Sequence, residues 1–395
     1  MDERRGTADN GRREIVHRLS SIALCGALAL AARPAWGDKE QMPGLDLSTK
    51  KDALRAVDQG IQWLKARQNA DGSWPSSPQP AVSAFATRAI LRDPAREQGK
   101  LDASAGKGLE FIASCAQKDG GIYRDSRLPG ARGNYSTAAS VLALAGSQQE
   151  RYEPLILAAR RFLARGQNRR EGSDQFGGWA CSDPPADMKT TALAIEALAA
   201  TQRIATADAE KSRSAPADPD WTAAVAFLSR CQNLPPACGE RPQDLGGFFD
   251  VPDKAGPLTT RHPEGSATAL GLAALLESNV ARSDPRVLGA VNWLRANYTL
   301  DEPAGGLDRR GPCFYYYSLA GALSLYGEEP LLRAEKRPAD WRRELMIRLI
   351  SLQRTDSQGL GYWVNDQGDN AEKDAVLVTA YCVLALETLA DAPPY

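Results

Sequence analysis

The fold class this sequence predicts is all-α: a single α6/α6 barrel, or α/α toroid, made of six helical hairpins within 395 residues. Three observations carry that expectation. One unit recurs six times from Asp52 onward: an apolar-periodic helix, a turn closing on Gly-Gly or Gly-x-Trp, and a second helix rich in Ala, Thr and Leu. Its period of roughly 40 to 60 residues belongs to stacked supersecondary units, not to separate domains. The two helices of each unit also differ in kind. One has a single apolar face; the other is apolar or small nearly all round and must be enclosed by its neighbours.

In the first hairpin Gly60, Ile61, Trp63 and Leu64 share one helix, Gln68 ends it, Gly72 and Trp74 make the turn, and the small-residue helix begins near Pro80. The second has the turn QKDGGIY at 117–123 and the inner segment from Thr137 to Ala145. The third sets Phe162 and Leu163 on the outer helix, QFGGW at 175–179 in the turn and Thr191 to Leu198 on the inner helix. The fourth repeats this with Phe227 and Leu228, LGGFFD at 245–250 and Ala267 to Leu275. The last two turns, AGGLD at 304–308 and QGLGYW at 358–363, lead to inner segments containing Phe314 and Thr379. Trp74, Trp179 and Trp363 read as structural staples between repeats, lying over neighbouring helix ends, and Ser and Thr at the inner helix starts read mostly as caps. Six hairpins that close on themselves need no capping repeats, which an open solenoid requires.

Residues 1–37 have a different character. Arg12, Arg13, His17 and Arg18 precede an apolar run from Leu19 to Ala32, and Ala35 and Gly37 supply small residues before Asp38. This is the layout of a secretory signal, and the run is shorter than the roughly 20 residues a membrane span takes. The pair Arg12-Arg13 resembles a twin-arginine export signal. The expected organisation is a signal peptide at 1–37, a linker at 38–51 and the toroid at 52–395, exported to the periplasm or beyond the cell as a monomer without a transmembrane segment.

Export leaves Cys115, Cys181, Cys231, Cys238, Cys313 and Cys382 in an oxidising compartment. Cys231 and Cys238 flank the turn QNLPPA and are candidates for a staple, whereas Cys115, Cys313 and Cys382 fall on helix-like stretches and also read as small buried apolar groups. With no Cys-x-x-Cys and with His262 the one histidine beyond the signal, a multi-histidine metal site is excluded and no cofactor is expected. A net charge of -1, from 48 basic and 49 acidic side chains interspersed, gives no charge-driven attraction to nucleic acid or an anionic membrane.

The turns resemble the QW motif of the prenyltransferase and squalene oxidase repeat family, the α/α toroids of terpenoid cyclases and protein prenyltransferase β subunits. The match is specific in Gly60 to Trp74 and in Lys107 to Tyr123, and looser in the other four copies. The resemblance implies the toroid; the family's catalytic residues do not carry over. Squalene-hopene-type cyclases protonate an alkene with Asp-x-Asp-Asp-Thr-Ala. Here Asp187-Met188-Lys189-Thr190-Thr191-Ala192 keeps the first Asp and the Thr-Ala, and Lys189 stands where an acid should be. Prenyltransferases hold zinc with Asp-x-Cys and the His of His-x-x-Tyr. Here Gly311-Pro312-Cys313 and Val378-Thr379-Ala380-Tyr381 keep the Cys and the Tyr, and one ligand of three does not hold zinc. Neither standard activity is expected, and whether the chain is an enzyme stays open.

Segments just before the inner helices should ring one mouth of the barrel: Asn134 and Tyr135, Asp187 and Lys189, Arg261, His262 and Glu264, Phe314 to Tyr317, and Glu372 to Asp374. The successive rings of Phe314, Tyr315, Tyr316 and Tyr317 are either a stacking wall for an isoprenoid or a sugar, or filling for the core of the fifth repeat. Tyr135 and Tyr381 are further candidates for ligand contact. His262 with Glu264 is a candidate acid-base pair, and Asp187 either a catalytic carboxylate or half of a helix-start ion pair. Three functions remain open: a toroid that binds or transforms a small hydrophobic, isoprenoid-like molecule; a polysaccharide-active enzyme using Asp187, Glu264 and His262 on a glycan; or an interaction scaffold.

Overall fold

The computed structural model describes residues 47–75, 79–97, 100–124, 133–181, 184–212, 217–235, 242–252, 262–305, 311–327, 331–332, 338–368 and 371–391. The signal-like segment, Cys238 and Arg261 lie outside them. Among the described residues the outer helices are α1 (Leu47–Ala66), α3 (Ala103–Ser114), α5 (Glu153–Gly166), α8 (Trp221–Cys231), α10 (Pro285–Asn297) and α12 (Trp341–Leu352). The inner helices are α2 (Pro80–Leu91), α4 (Gly133–Gly146), α6 (Met188–Ala200), α9 (Gly265–Glu277), α11 (Pro312–Tyr326) and α13 (Ala375–Ala390). An additional helix, α7 (Gln202–Ser212), lies between the third and fourth hairpins, and α1 begins inside the stretch read as a linker. Two short antiparallel ladders, β1 (Leu331–Leu332) with β2 (Pro338–Ala339) and β3 (Arg354–Thr355) with β4 (Gly361–Tyr362), and two single-turn 3-10 helices, Glu150–Tyr152 and Pro242–Asp244, complete the described elements.

The inner helices pack in chain order, α2 on α4, α4 on α6, α6 on α9, α9 on α11 and α11 on α13, and α13 packs in turn on α2. The first outer helix lies against α12 and α13. The all-α, α6/α6 architecture expected from the repeats is the one present. No described helix is long and apolar enough to cross a membrane.

The repeated turn explains the repeated residues. Gly72, Gly120, Gly177, Gly246, Gly305 and Gly359, one per hairpin, all have φ between 80° and 96°, a region a side chain occupies only at a cost of roughly 1–2 kcal/mol. At Gly177 a second constraint applies, because a Cβ would stand 1.9 Å from the backbone oxygen of Ala223 in α8. The turn presses directly on the next outer helix. Gln167 holds that contact: its Nε2 donates to Gly177 O at 3.1 Å and to Asp220 O at 2.9 Å. Gln68 and Gln232 bridge their own turns to the next outer helix in the same way. The indoles of Trp74, Trp179 and Trp363 donate to Leu64 O, Leu163 O and Leu349 O at 2.7–2.8 Å, stapling each turn to the end of its own outer helix.

The inner-helix hydroxyls do not cap. Thr191 Oγ1 accepts from the amide of Trp179 at 3.0 Å, and Ser83, Thr137, Thr268 and Thr379 accept from the corresponding turn amides at 2.9–3.2 Å. They lie a full turn inside the helices, where the helix amides are already paired, so their oxygens serve the turn strand instead. Capping falls to aspartates: Asp102, Asp187, Asp220, Asp284, Asp340 and Asp374 each accept from first-turn amides, an arrangement typically worth about 1 kcal/mol per helix.

Candidate functional site

Side chains of the six inner helices line a partly open cavity of about 260 Å³ whose wall includes Phe85, Tyr135, Phe314 and Tyr317 at one end and Arg88, Glu196 and Glu277 at the other. The aromatic end is one continuous cluster. Tyr381 stacks on Tyr317 at 5.2 Å and 21°, meets Phe85 edge-on at 5.0 Å, and lies 5.4 Å from Phe314. Its hydroxyl is 3.2 Å from that of Tyr135. Offset and edge-to-face pairs of this kind contribute about 0.5–1.5 kcal/mol each beyond their buried area. Lys189 joins the same end, with Nζ 4.5 Å from the centre of the Phe314 ring.

Helical geometry divides the four successive aromatics. Residues three apart share a helix face, so Phe314 and Tyr317 look into the cavity together. Tyr315 and Tyr316 are fully buried on the opposite side, donating to Thr299 O and Leu300 O. Burial pushes the Tyr317 phenol up to about 12. It raises that of Tyr381 as well.

The charged end comes from residues the sequence reading did not single out. Arg88 Nη2 lies 2.6 Å from Glu196 Oε1, and Nη1 donates to the Tyr317 hydroxyl at 3.3 Å, tying the two ends together. The Glu196 carboxylate raises the pKa of Arg88 although burial works in the opposite direction. Burial and the negative charge of Glu196 hold the Glu277 carboxyl well above the usual carboxylate range, against the pull of Arg88. Glu387 on α13 is fully buried, with both carboxylate oxygens unbonded. Arg92 approaches it only to 4.0 Å and is shared with Asp391, so burial prevails and its pKa is raised. The available signal was the isolated charge. In helices apolar almost all round, Arg88, Glu196, Glu277 and Glu387 interrupt the pattern.

The three carboxylate and imidazole candidates sit elsewhere. Asp187 caps α6, accepting from Thr190 N at 2.7 Å and Thr190 Oγ1 at 3.0 Å, and burial raises its pKa. Lys189 turns to Phe314, not to an ion pair with Asp187. His262 Nδ1 is 3.8 Å from Asp244 Oδ1 on a partly exposed loop. Glu264 immediately precedes α9, where its amide donates to Phe248 O. None of the three lines the central cavity. Cys313 and Cys382 are buried on the neighbouring helices α11 and α13.

No family model matches this sequence, and no curated protein does. Solved structures match the fold. An inactive variant of the α-1,6-mannanase GH76A of Salegentibacter, bound to α-1,6-mannotriose, has a TM-score of 0.55 at 10% identity over 86% of this chain and 99% of its own. A variant of the type II terpene cyclase MstE from Scytonema has a TM-score of 0.53 at 16% identity over 87% and 98%. Candida albicans protein geranylgeranyltransferase-I, complexed with GGPP, has a TM-score of 0.52 at 12% identity over 84% and 90%. At these identities the likeness is one of fold, and function rests on the residues of the site.

Proposed function

We propose that this chain is an exported, divergent toroid of the QW-repeat type whose central cavity binds a compact apolar, isoprenoid-like molecule. The observation that carries this reading is the aromatic end of the cavity, where Phe85, Tyr135, Phe314 and Tyr317 line the space and Tyr381 packs against all four rings from behind. Ring faces and edges favour an apolar or unsaturated body. The cavity volume of about 260 Å³ lies just under the roughly 300–1,000 Å³ of pockets for drug-sized ligands, so the ligand is small. In this reading Lys189 and the Arg88 cluster mark the two polar limits of the space.

A second reading has one specific observation in its favour. Glu196 and Glu277 face the same cavity, and a pair of carboxyls with unlike environments is the equipment of a glycosidase. The chiefly apolar wall favours the first reading. Mass spectrometry of small molecules extracted from the purified protein tests it, with Gly321→Phe as the control. Gly321 lines the cavity, and a Cβ there meets no atom within 4 Å. Enrichment of an apolar molecule in the native protein alone supports the reading. An oligosaccharide, or equal recovery from both proteins, contradicts it.

A further inference from the structure

The inner helices run past the cavity in one sense. Tyr135, Lys189 and Phe314, at the aromatic end, lie in the first turn of α4, α6 and α11. Leu325 and Thr388 lie in the last turn of α11 and α13, and Glu277 is the final residue of α9. The charged end is therefore where helix carbonyl ends converge. Each such end carries roughly half a negative elementary charge, which favours a cation and opposes a carboxylate. Glu277 stands against that preference without help. None of the described residues gives its side chain a hydrogen bond or an ion pair, whereas Glu196 is fastened to Arg88. The basic side chains of the lining are engaged elsewhere. Arg88 is shared between Glu196 and the Tyr317 hydroxyl, Arg92 between Asp391 and Glu387, and Lys189 lies over Phe314 at the opposite end. The site is one cation short.

We propose that the ligand supplies that cation: the apolar molecule of the reading above carries one protonated amine, which pairs with the Glu277 carboxylate while its body lies against the rings of Phe85 and Tyr317. This inference rests on that reading and adds the chemical class of the ligand. In the empty cavity, burial and the charge of Glu196 hold the Glu277 carboxyl toward its protonated form. The incoming ammonium takes the place of that proton. The carboxyl releases it to water, an N–H of the ligand donates to the carboxylate, and the site stays neutral because an ion pair replaces a neutral acid. No covalent bond to the ligand forms or breaks. An alcohol of the same shape gains no charged hydrogen bond there, and an anionic ligand meets two glutamates and the helix carbonyl ends.

Isothermal titration calorimetry at neutral pH with 4-phenylbutylamine, 4-phenylbutan-1-ol and 4-phenylbutanoate tests this. The amine is expected to bind roughly 10- to 100-fold more tightly than the alcohol, the gain from one charge-assisted hydrogen bond, and the carboxylate more weakly than either. Glu277→Gln is expected to bind the alcohol still and to lose the preference for the amine; Gly321→Phe is expected to bind none of the three. Binding of the uncharged fluorophore N-phenyl-1-naphthylamine, together with the melting temperature, reports separately on the cavity and on folding of each variant. If the fluorophore binds but the amine gains nothing over the alcohol or the carboxylate, or its preference survives in Glu277→Gln, the ammonium site is wrongly assigned while the cavity reading stands. If the fluorophore does not bind, both fall.

Discussion

Arg88 on α2 reaches across the barrel to Glu196 on α6, two places further around the ring, with Nη2 2.6 Å from Oε1. The pair spans 108 positions of sequence. It joins helices that do not follow one another in the ring.

Removing the acid tests its weight. Glu196→Gln leaves Arg88 facing the Tyr317 hydroxyl without its carboxylate. Both side chains keep some contact with the open cavity, so the expected loss is that of a charged hydrogen bond, about 1.5–3 kcal/mol. Urea denaturation measures it. An unchanged midpoint would mean the pair is fully screened by cavity water.

Glu387 should make stability depend on pH. Its folded pKa is raised above the ordinary 4.5, so the folded state holds a proton that the unfolded state releases. The contribution is fully present below about 4.5 and is lost as pH rises from there through the raised folded value. Asp102, Asp284 and Asp356 are lowered from 3.8 and act oppositely, losing their contribution only as pH falls through values below 3.8. The windows do not overlap. Thermal melts from about pH 5 to about pH 8 should show a downward slope that Glu387→Gln flattens; equal slopes in both proteins would contradict the assignment.

Gly177→Ala should be among the most damaging single-methyl additions in the chain. It combines a positive-φ penalty with overlap against Ala223 O, for a total of about 2–5 kcal/mol. Gly359 has a similar φ, 80° against 87°, but open space around it, so Gly359→Ala should cost only about 1–2 kcal/mol. The difference between the two, measured by denaturation, separates backbone strain from the contact with the next helix.

Trp179→Phe should cost about 1–3 kcal/mol, since it removes the indole N–H and leaves Leu163 O unsatisfied in a fully buried site. Chemical denaturation checks it, and a cost near zero would mean the staple is only a packing contact.

The hairpins and the glycine turns were legible in the sequence because each is local and recurs; the tryptophans were legible as staples, but each indole bonds to its own outer helix where the sequence suggested a tie between repeats. The caps were not: a Thr at the expected start of an inner helix reads as a cap, whereas the helix begins about a turn earlier and the Thr oxygen is taken by a turn amide 12 or more positions away. The aromatic run was half legible. Periodicity of 3.6 already divides Phe314 and Tyr317 from Tyr315 and Tyr316, and the burial of the latter pair follows from it. The charged end required the ring itself, because Arg88, Glu196 and Glu277 meet only when three inner helices are brought around one axis. The available clue was a charge near the C-terminal end of an otherwise apolar helix, as at Arg88, Glu196 and Glu277.

The central claim is that the barrel interior is a site for a compact apolar molecule. Titration of N-phenyl-1-naphthylamine into the protein and into Gly321→Phe, followed by fluorescence, tests it most directly. Saturable binding to the native chain, abolished in the variant without a change in melting temperature, is the expected result; equal binding by the two proteins would contradict it.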